Sequence, residues 1–276
     1  MEIRHAIHPE QMKGLGTDDL RKHFLIEGLF EKNKLNMFYS DVDRVIVGGV
    51  CPSDQAVELG VMKELGVDFF LQRRELGIFN VGSKGVVVVD GKDYPLEKRD
   101  CLYVGMDSKE VRFNSLDARN PAKFYFNSAP AHFTYPTVRV TLKEAQRVHL
   151  GTAEKANVRT IYQLIHPSVL KSCQLVMGLT VLEPNSLWNT MPCHTHGRRT
   201  EVYFYLDLPE DSLVFHFLGE AQETRHIVVR NEEAVLSPSW SIHSGVGTNH
   251  YSFIWGMAGE NQTFTDMDDI PLSALK

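Results

Sequence analysis

Short apolar runs broken by turn residues at close intervals most constrain how this chain folds. Gly85-Val-Val-Val-Val-Asp-Gly91 is the clearest of them, four β-branched residues closed by Asp-Gly. Such a run is too short for a buried helix and too rich in valine for a loop, so it reads as a strand ending in a tight turn. The same signature recurs over 43–49, 69–74, 101–104 and 123–126, and again over 174–182, 201–206, 213–218, 226–229, 234–236 and 251–257. Many short strands at this spacing predict a mainly β chain with few short helices, built as sandwiches or barrels. One helix is expected near the start, with Thr17-Asp18-Asp19 capping a turn through Leu20–Leu25.

The strand rhythm of 85–104 returns over 214–238, each time as strand, turn, strand, turn, strand, which points to a duplicated β-barrel. Prolines at 130 and 136 interrupt the pattern within 127–160. The expected organisation is an N-terminal barrel with a short helical start over 1–140, a linker over 141–160 and a C-terminal barrel over 161–276. With 276 residues, each half is long enough for its own core.

Composition narrows the function classes. The net charge of −6 and the lack of a long basic run argue against nucleic-acid or anionic-membrane partners. No apolar stretch approaches the ~18 residues of a membrane span, and Met1–Gly14 has no apolar segment of the secretory kind. The four cysteines, 51, 101, 173 and 193, form no C-x-x-C pair. A reducing cytoplasm is the expected setting.

The chemistry concentrates in His194-Thr-His196-Gly-Arg-Arg-Thr-Glu201 and, downstream, Pro238-Ser-Trp-Ser-Ile-His243. Side chains alternate along a strand, so His194 and His196 share a face. Glu201 lies five residues past His196, and Gly197 permits a turn that resets its parity. Three imidazoles and one carboxylate suit Zn²⁺, and equally Fe²⁺, Mn²⁺, Co²⁺ or Ni²⁺. Helpers in reach of such a site are Tyr203, which shares strand parity with Glu201, the polar turn Glu223, Arg225 and His226, and Arg199 and Trp240 beside the ligands. From these we take Glu223, His226 and Tyr203 as candidate proton-transfer groups, and Arg225, Arg199 and Trp240 as candidate substrate contacts. At least one of Arg198 and Arg199 reads as surface charge, and Arg73 and Arg74 read as structural partners of Glu75. His216, between Phe215 and Phe217, reads as a core histidine with one hydrogen-bond partner, and Cys193 as packed.

The pattern H-x-H-x₄-E followed by P-x₄-H resembles the two metal motifs of the cupin superfamily. Trp188 and Trp240 stand where that superfamily commonly has glycine. A closer resemblance runs through Arg44–Gly49, Phe70–Gly77, Pro121–Tyr125, Asn189–His196, Glu223–His226, Ser237–Gly247 and Trp255–Gln262. These stretches are similar to the 5-keto-4-deoxyuronate isomerase family of pectin breakdown. The resemblance implies a two-domain cupin (bicupin) of β-barrel or jelly-roll domains, a homo-hexamer, and one zinc per subunit on His194, His196, Glu201 and His243. It also implies a degenerate first barrel, with Gly105–Glu110 lacking a histidine where the second has His243. The implied activity is aldose–ketose isomerisation of a small deoxyuronate. The same ligand set would also serve an Fe²⁺ dioxygenase, or a non-catalytic sugar-binding cupin.

Overall fold

The computed structural model describes residues 1–276. Strands dominate, and no helix is long and apolar enough to cross a membrane. Contacts divide the chain into two units. The first comprises Met1–Ile3, Gly28–Gln146 and Gln163–Met177, and the second Arg4–Glu27, Arg147–Tyr162 and Gly178–Lys276.

Each half of the strand set has the same plan, a seven-stranded sheet and a four-stranded sheet. The first large sheet runs Glu2–Arg4, Leu35–Ser40, Ile46–Val50, Phe124–Pro130, Arg74–Asn80, Cys101–Val104, Val138–Val140. The second runs Gln146–Leu150, Arg159–Ile165, Val176–Leu182, Ser252–Gly259, Arg199–Leu206, Ala234–Ser237, Leu25–Ile26. Their four-stranded companions are Val57–Glu58, Val111–Ser115, Gly85–Val89, Lys92–Leu96, and Trp188–Asn189, Ser244–Gly247, Val214–Glu220, Glu223–Val229. The repeat read from 85–104 and 214–238 is therefore real at the level of strand order.

Within the first unit the two sheets enclose a core. Val87 and Val89 point inward while Val86 and Val88 are partly exposed, the period of two that the valine run predicts. Phe113 of the small sheet meets Phe124 and Phe126 of the large one at ring-centroid distances of 5.4 and 6.3 Å. Burial of each of these rings contributes about 2–3 kcal/mol.

Several local expectations are corrected. Gly16, not Thr17, is the helix N-cap; Thr17–Phe24 is helical, with Asp18 and Asp19 in its first turn where carboxylates oppose the helix dipole. Phe70–Arg73 is a 3₁₀ turn and the strand begins only at Arg74, because the Gln72 side chain accepts from the Asp68 N–H at 2.7 Å and closes a local turn. The stretch from 127 is not irregular: Phe124–Pro130 is one strand, with Pro130 tolerated at its last position. Arg74 does not pair with Glu75. It donates to Ser128 and to the Arg44 carbonyl, while Glu75 accepts from Tyr103 Oη and from the N–H groups of Cys173, Gln174 and Leu175 at 2.7–2.8 Å.

That carboxylate is one reason why 163–177 belongs with the first unit. The unit boundaries differ from those expected in two further ways. Arg4–Glu27 belongs to the second unit, where Leu25 and Ile26 pair with Val235 and Ala234. The segment 141–160 carries the strand Gln146–Leu150 and opens another at Arg159.

Candidate metal centre

Three separate segments of the second unit deliver the ligands. His194 sits in a two-residue strand, His194–Thr195, paired with Asp268–Asp269. His196 follows two residues on, and a turn through Gly197 leads into the strand that carries Glu201. Glu201 is opposite Ser237, and the chain then turns at Pro238–Ser241 to bring in His243. The four donor atoms lie within 4.8 Å of one another. His194 Nε2 is 3.2 Å from His196 Nε2 and 3.0 Å from His243 Nε2. Glu201 Oε2 is 3.1 Å from His196 Nε2 and 2.9 Å from His243 Nε2. Ligand bonds of ~2.0–2.2 Å at such an ion put neighbouring donors about 3 Å apart, so the separations fit one coordination sphere.

The electrostatics fit it as well. Burial, then the neighbouring imidazoles of His243 and His196, press His194 down to about 2, so it presents a neutral lone pair. Burial alone would push the Glu201 carboxyl up, but His243 and His196 outweigh it and hold the group anionic. Three imidazole ligands and one carboxylate would leave a divalent ion with net positive charge.

A second layer fixes His196. Its Nδ1 is 2.9 Å from the Asp266 carbonyl oxygen, which assigns the proton to Nδ1 and frees Nε2 for an ion. The same carbonyl accepts from Arg199 Nη2 at 2.9 Å. The Asp266 carboxylate is gripped by Asn261 and by both ends of the Arg198 guanidinium, which also reaches Asp268 at 3.1 Å. Arg198 is thus a latch on the segment that orients a ligand. Arg198→Ala is expected to weaken metal affinity roughly tenfold, the lower end for outer-layer changes, with little loss of fold. Chelator competition on the purified variant measures it; unchanged affinity would leave Arg198 as surface charge alone.

The ligand set opens into a cavity of about 210 Å³. Its floor is the large sheet. Glu201 and Tyr203 come from one strand, Phe253, Trp255 and Met257 from the next, Thr180 from the third, and Arg159 and Ile161 from the fourth. Gly178 makes room for the floor, since a Cβ there would meet the Trp255 ring at 2.2 Å. Phe264, Met267 and Asp269 of the C-terminal segment add a wall.

Of the helper residues expected from sequence, Tyr203 alone lines this cavity. Its hydroxyl is 2.9 Å from Thr190 Oγ1, and burial with the Glu201 charge keeps it protonated by pushing its pKa far up. Glu223, Arg225 and His226 lie on the outermost strand of the small sheet, away from the cavity lining. Glu223 and Arg225 pair with each other at 2.6 Å, Arg225 also donates to the Lys13 carbonyl, and exposed His226 packs edge-on against Phe215. Arg199 is fully buried behind His196 and absent from the lining, and Trp240 rests edge-on against Phe24. His216 is the core histidine expected: buried, hydrogen-bonded through Nδ1 to Tyr205 Oη at 2.7 Å, and pressed down to about 3 by burial. Cys193 is packed and buried. Arg159 and Asp269 line the cavity too, and neither is expected from sequence, since both lie far from either motif.

The KduI/IolB family model matches residues 27–272. The 4-deoxy-L-threo-5-hexosulose-uronate ketol-isomerases of Caldicellulosiruptor bescii and Yersinia pestis are 58% and 57% identical to this chain, each covering all of both proteins. Among solved structures, an IolB-like protein from Salmonella typhimurium superposes with a TM-score of 0.66 at 14% identity, over 79% of this chain and 85% of that one. An oxalate decarboxylase reaches 0.56 at 8% identity, over 80% and 70%. At those identities the likeness is one of fold, and the fold is cupin-like.

Proposed function

The chain belongs to the KduI/IolB family, and from that premise we propose that it is a 4-deoxy-L-threo-5-hexosulose-uronate ketol-isomerase, converting 5-dehydro-4-deoxy-D-glucuronate to 3-deoxy-D-glycero-2,5-hexodiulosonate in pectin and uronate breakdown. The observation that carries this reading is that His194, His196 and Glu201 of the four-residue cluster line a small cavity together with Tyr203, Asp269 and Arg159.

The reaction moves a carbonyl from C1 to C2 through an enediol. A proton leaves C2 and one arrives at C1, while O1 gains a proton and O2 loses one. Negative charge builds on the two oxygens in the transition state. A divalent ion, which we assign as one Zn²⁺ per subunit, would be held by the four ligands and would supply Lewis acidity toward those oxygens. Outside the ligand set, the cavity offers Tyr203, Asp269 and Arg159 as its polar titratable groups. Tyr203, kept neutral by burial, supplies an O–H to a substrate oxygen. Asp269 is the carboxylate positioned to carry the carbon-bound proton. The apolar floor of Phe253, Trp255 and Met257 excludes water from the enediol, which limits loss of its proton to solvent.

A homo-hexameric assembly, implied by the family resemblance, and a cytoplasmic setting, expected from the scattered cysteines, belong to the same proposal. The acidic chain suits a small-molecule partner and neither nucleic acid nor membrane. The test is to incubate the zinc-loaded protein with 5-dehydro-4-deoxy-D-glucuronate and follow the diketo acid by NMR, with an oxygen electrode in the same vessel. Product without oxygen uptake is expected. Stoichiometric oxygen uptake would make the protein a dioxygenase, and no turnover would leave a binding protein.

A further inference from the structure

Arg159 is the one lysine or arginine among the residues lining the cavity. It opens the strand Arg159–Ile165, and Ile161, two residues on, lines the same cavity, so strand alternation turns Arg159 toward that side. Its Nη1 donates to the Asn157 carbonyl at 2.9 Å, and Asn157 is itself fixed by accepting from the Thr152 N–H at 2.9 Å. One arm of the guanidinium is therefore pinned while Nε and Nη2 remain available. No carboxylate pairs with it. The arginines nearer the ligand motifs in sequence are engaged elsewhere: Arg198 with Asp266 and Asp268, Arg225 with Glu223, and Arg199 behind His196. Arg159 is half-buried, and the titratable groups that act on it are the phenols of Tyr203 and Tyr251. A partly desolvated guanidinium with no anion beside it, facing a cavity, is built to receive one.

Its placement across the sheet decides which part of a ligand it meets. Two strands, Val176–Leu182 and Ser252–Gly259, separate the Arg159 strand from the Glu201 strand. Three strand spacings amount to roughly 14 Å between backbones, which the arginine's own length shortens. Between the two ends lies the floor of Thr180, Phe253, Trp255 and Met257. At the ligand end, Asp269 pairs in register with His194 and makes that end unfavourable for a second carboxylate. The cavity is therefore polarised, with a cation at one side of an apolar floor and carboxylates with the imidazoles at the other.

We propose that Arg159 anchors the carboxylate of the substrate at the side of the cavity opposite the ligand set, and so fixes both the selectivity for uronates over neutral sugars and which end of the molecule reaches the ligands. This rests on the isomerase reading above. In the deoxyuronate the carboxylate is C6 and the reacting pair is C1 and C2, so one extended six-carbon chain places each end at its matching chemistry.

The test uses zinc-loaded Arg159→Gln and Arg159→Lys. Losing a charge-assisted fork is expected to raise KM for the deoxyuronate on the order of 10- to 100-fold in the glutamine variant, with kcat within a few-fold, because the anchor acts alike on ground and transition states. The lysine variant should fall between, keeping the charge but losing the fork. Competitive inhibition by D-galacturonate and by D-galactose gives a second readout. The wild type should prefer the uronate, and Arg159→Gln should erase the preference. Metal content and melting temperature should match the wild type in both variants. If the wild type isomerises the deoxyuronate but Arg159→Gln keeps its KM and its uronate preference, Arg159 is no anchor. A loss of metal or of fold in both variants would make its role structural and overturn the assignment, as would a fall in kcat at unchanged KM. If the wild type itself fails to turn over, the isomerase reading has failed instead, and calorimetric binding of D-galacturonate against D-galactose to wild type and Arg159→Gln tests the anchor separately: an equal uronate preference in both would overturn it.

Discussion

Stripping the metal from the purified protein is expected to lower kcat/KM for the deoxyuronate by roughly 10³-fold or more, with Zn²⁺ restoring it, because Lewis-acid stabilisation of the developing oxyanion is worth several kcal/mol. His243→Ala should do the same irreversibly. His243 enters from a different segment than His194 and His196, and its Nε2 is 3.0 Å from His194 Nε2 and 2.9 Å from Glu201 Oε2. Removing it opens one face of the coordination sphere. It also removes one of the two neighbours that hold Glu201 anionic against its burial. The variant should therefore show lower metal affinity as well as lost turnover. The fold should survive, since Tyr203, which meets the His243 ring edge-on at 5.4 Å, keeps its ring contacts with Tyr205 and Phe253. The measurements are metal content after dialysis, kcat/KM before and after Zn²⁺, and a thermal melt. Full turnover by protein shown to be metal-free would remove the ion from the mechanism.

Why the ligands were legible and the cavity was not follows from how each is built. His194, His196 and Glu201 lie within eight residues, and His243 follows a proline turn, so the chain itself carries the spacing. The strands were legible for the same local reason, as in the alternating burial of Gly85–Val89. Arg159 and Asp269 obey no such pattern. One opens a strand three positions across the sheet from Glu201, and the other is joined to His194 only through the pairing of two short segments some seventy residues apart. Strand order brings them together, and strand order is not written in local periodicity. Glu223, Arg225 and His226 illustrate the converse error. They cluster in sequence beside the motif region, but their strand is the outermost of the small sheet, and adjacency along the chain places them on a solvent-facing edge.

The duplication shows the same logic in the pairing registers. Ser237 pairs with Glu201 in the second unit, and Val104 pairs with Leu76 in the corresponding strands of the first. Counting from those pairs by the offsets of the ligands gives Phe69 for His194, Leu71 for His196, Leu76 for Glu201 and Glu110 for His243. Leu71 and Leu76 are buried in the hydrophobic core of the first unit. Two of the four positions that hold ligands in one copy, those of His196 and Glu201, hold apolar core packing in the other. A first unit with that substitution gains burial, about 2 kcal/mol per leucine, and loses any means of gripping an ion. The degeneracy expected from the missing histidine in Gly105–Glu110 thus extends to the other ligand positions.

Asp269→Asn is expected to cut kcat by roughly 10²- to 10⁴-fold while leaving metal content and KM near the wild-type values, the range for removing a general base. The assignment rests on parity. Asp268 and Asp269 are neighbours on a strand, so their side chains take opposite sides. Asp268 spends its carboxylate on Arg198 Nη2 at 3.1 Å and on the Gly197 N–H. Asp269, directly across from His194, lines the cavity instead. Every other titratable group there has another part in the proposal: His194, His196 and Glu201 would hold the ion, Arg159 would meet an anion, and Tyr203 is a phenol held protonated by burial and by the Glu201 charge. A base for this isomerisation must take a proton from C2 and return it to C1, which a single carboxylate between them does without rearrangement. Asparagine keeps the shape and the hydrogen bonds but cannot carry the proton. Tyr203→Phe, which removes only an O–H donor, should cost far less, about tenfold. Stopped-flow kcat with matched metal analysis separates the two, and an asparagine variant that turns over at the wild-type rate would move the proton-carrying role away from Asp269.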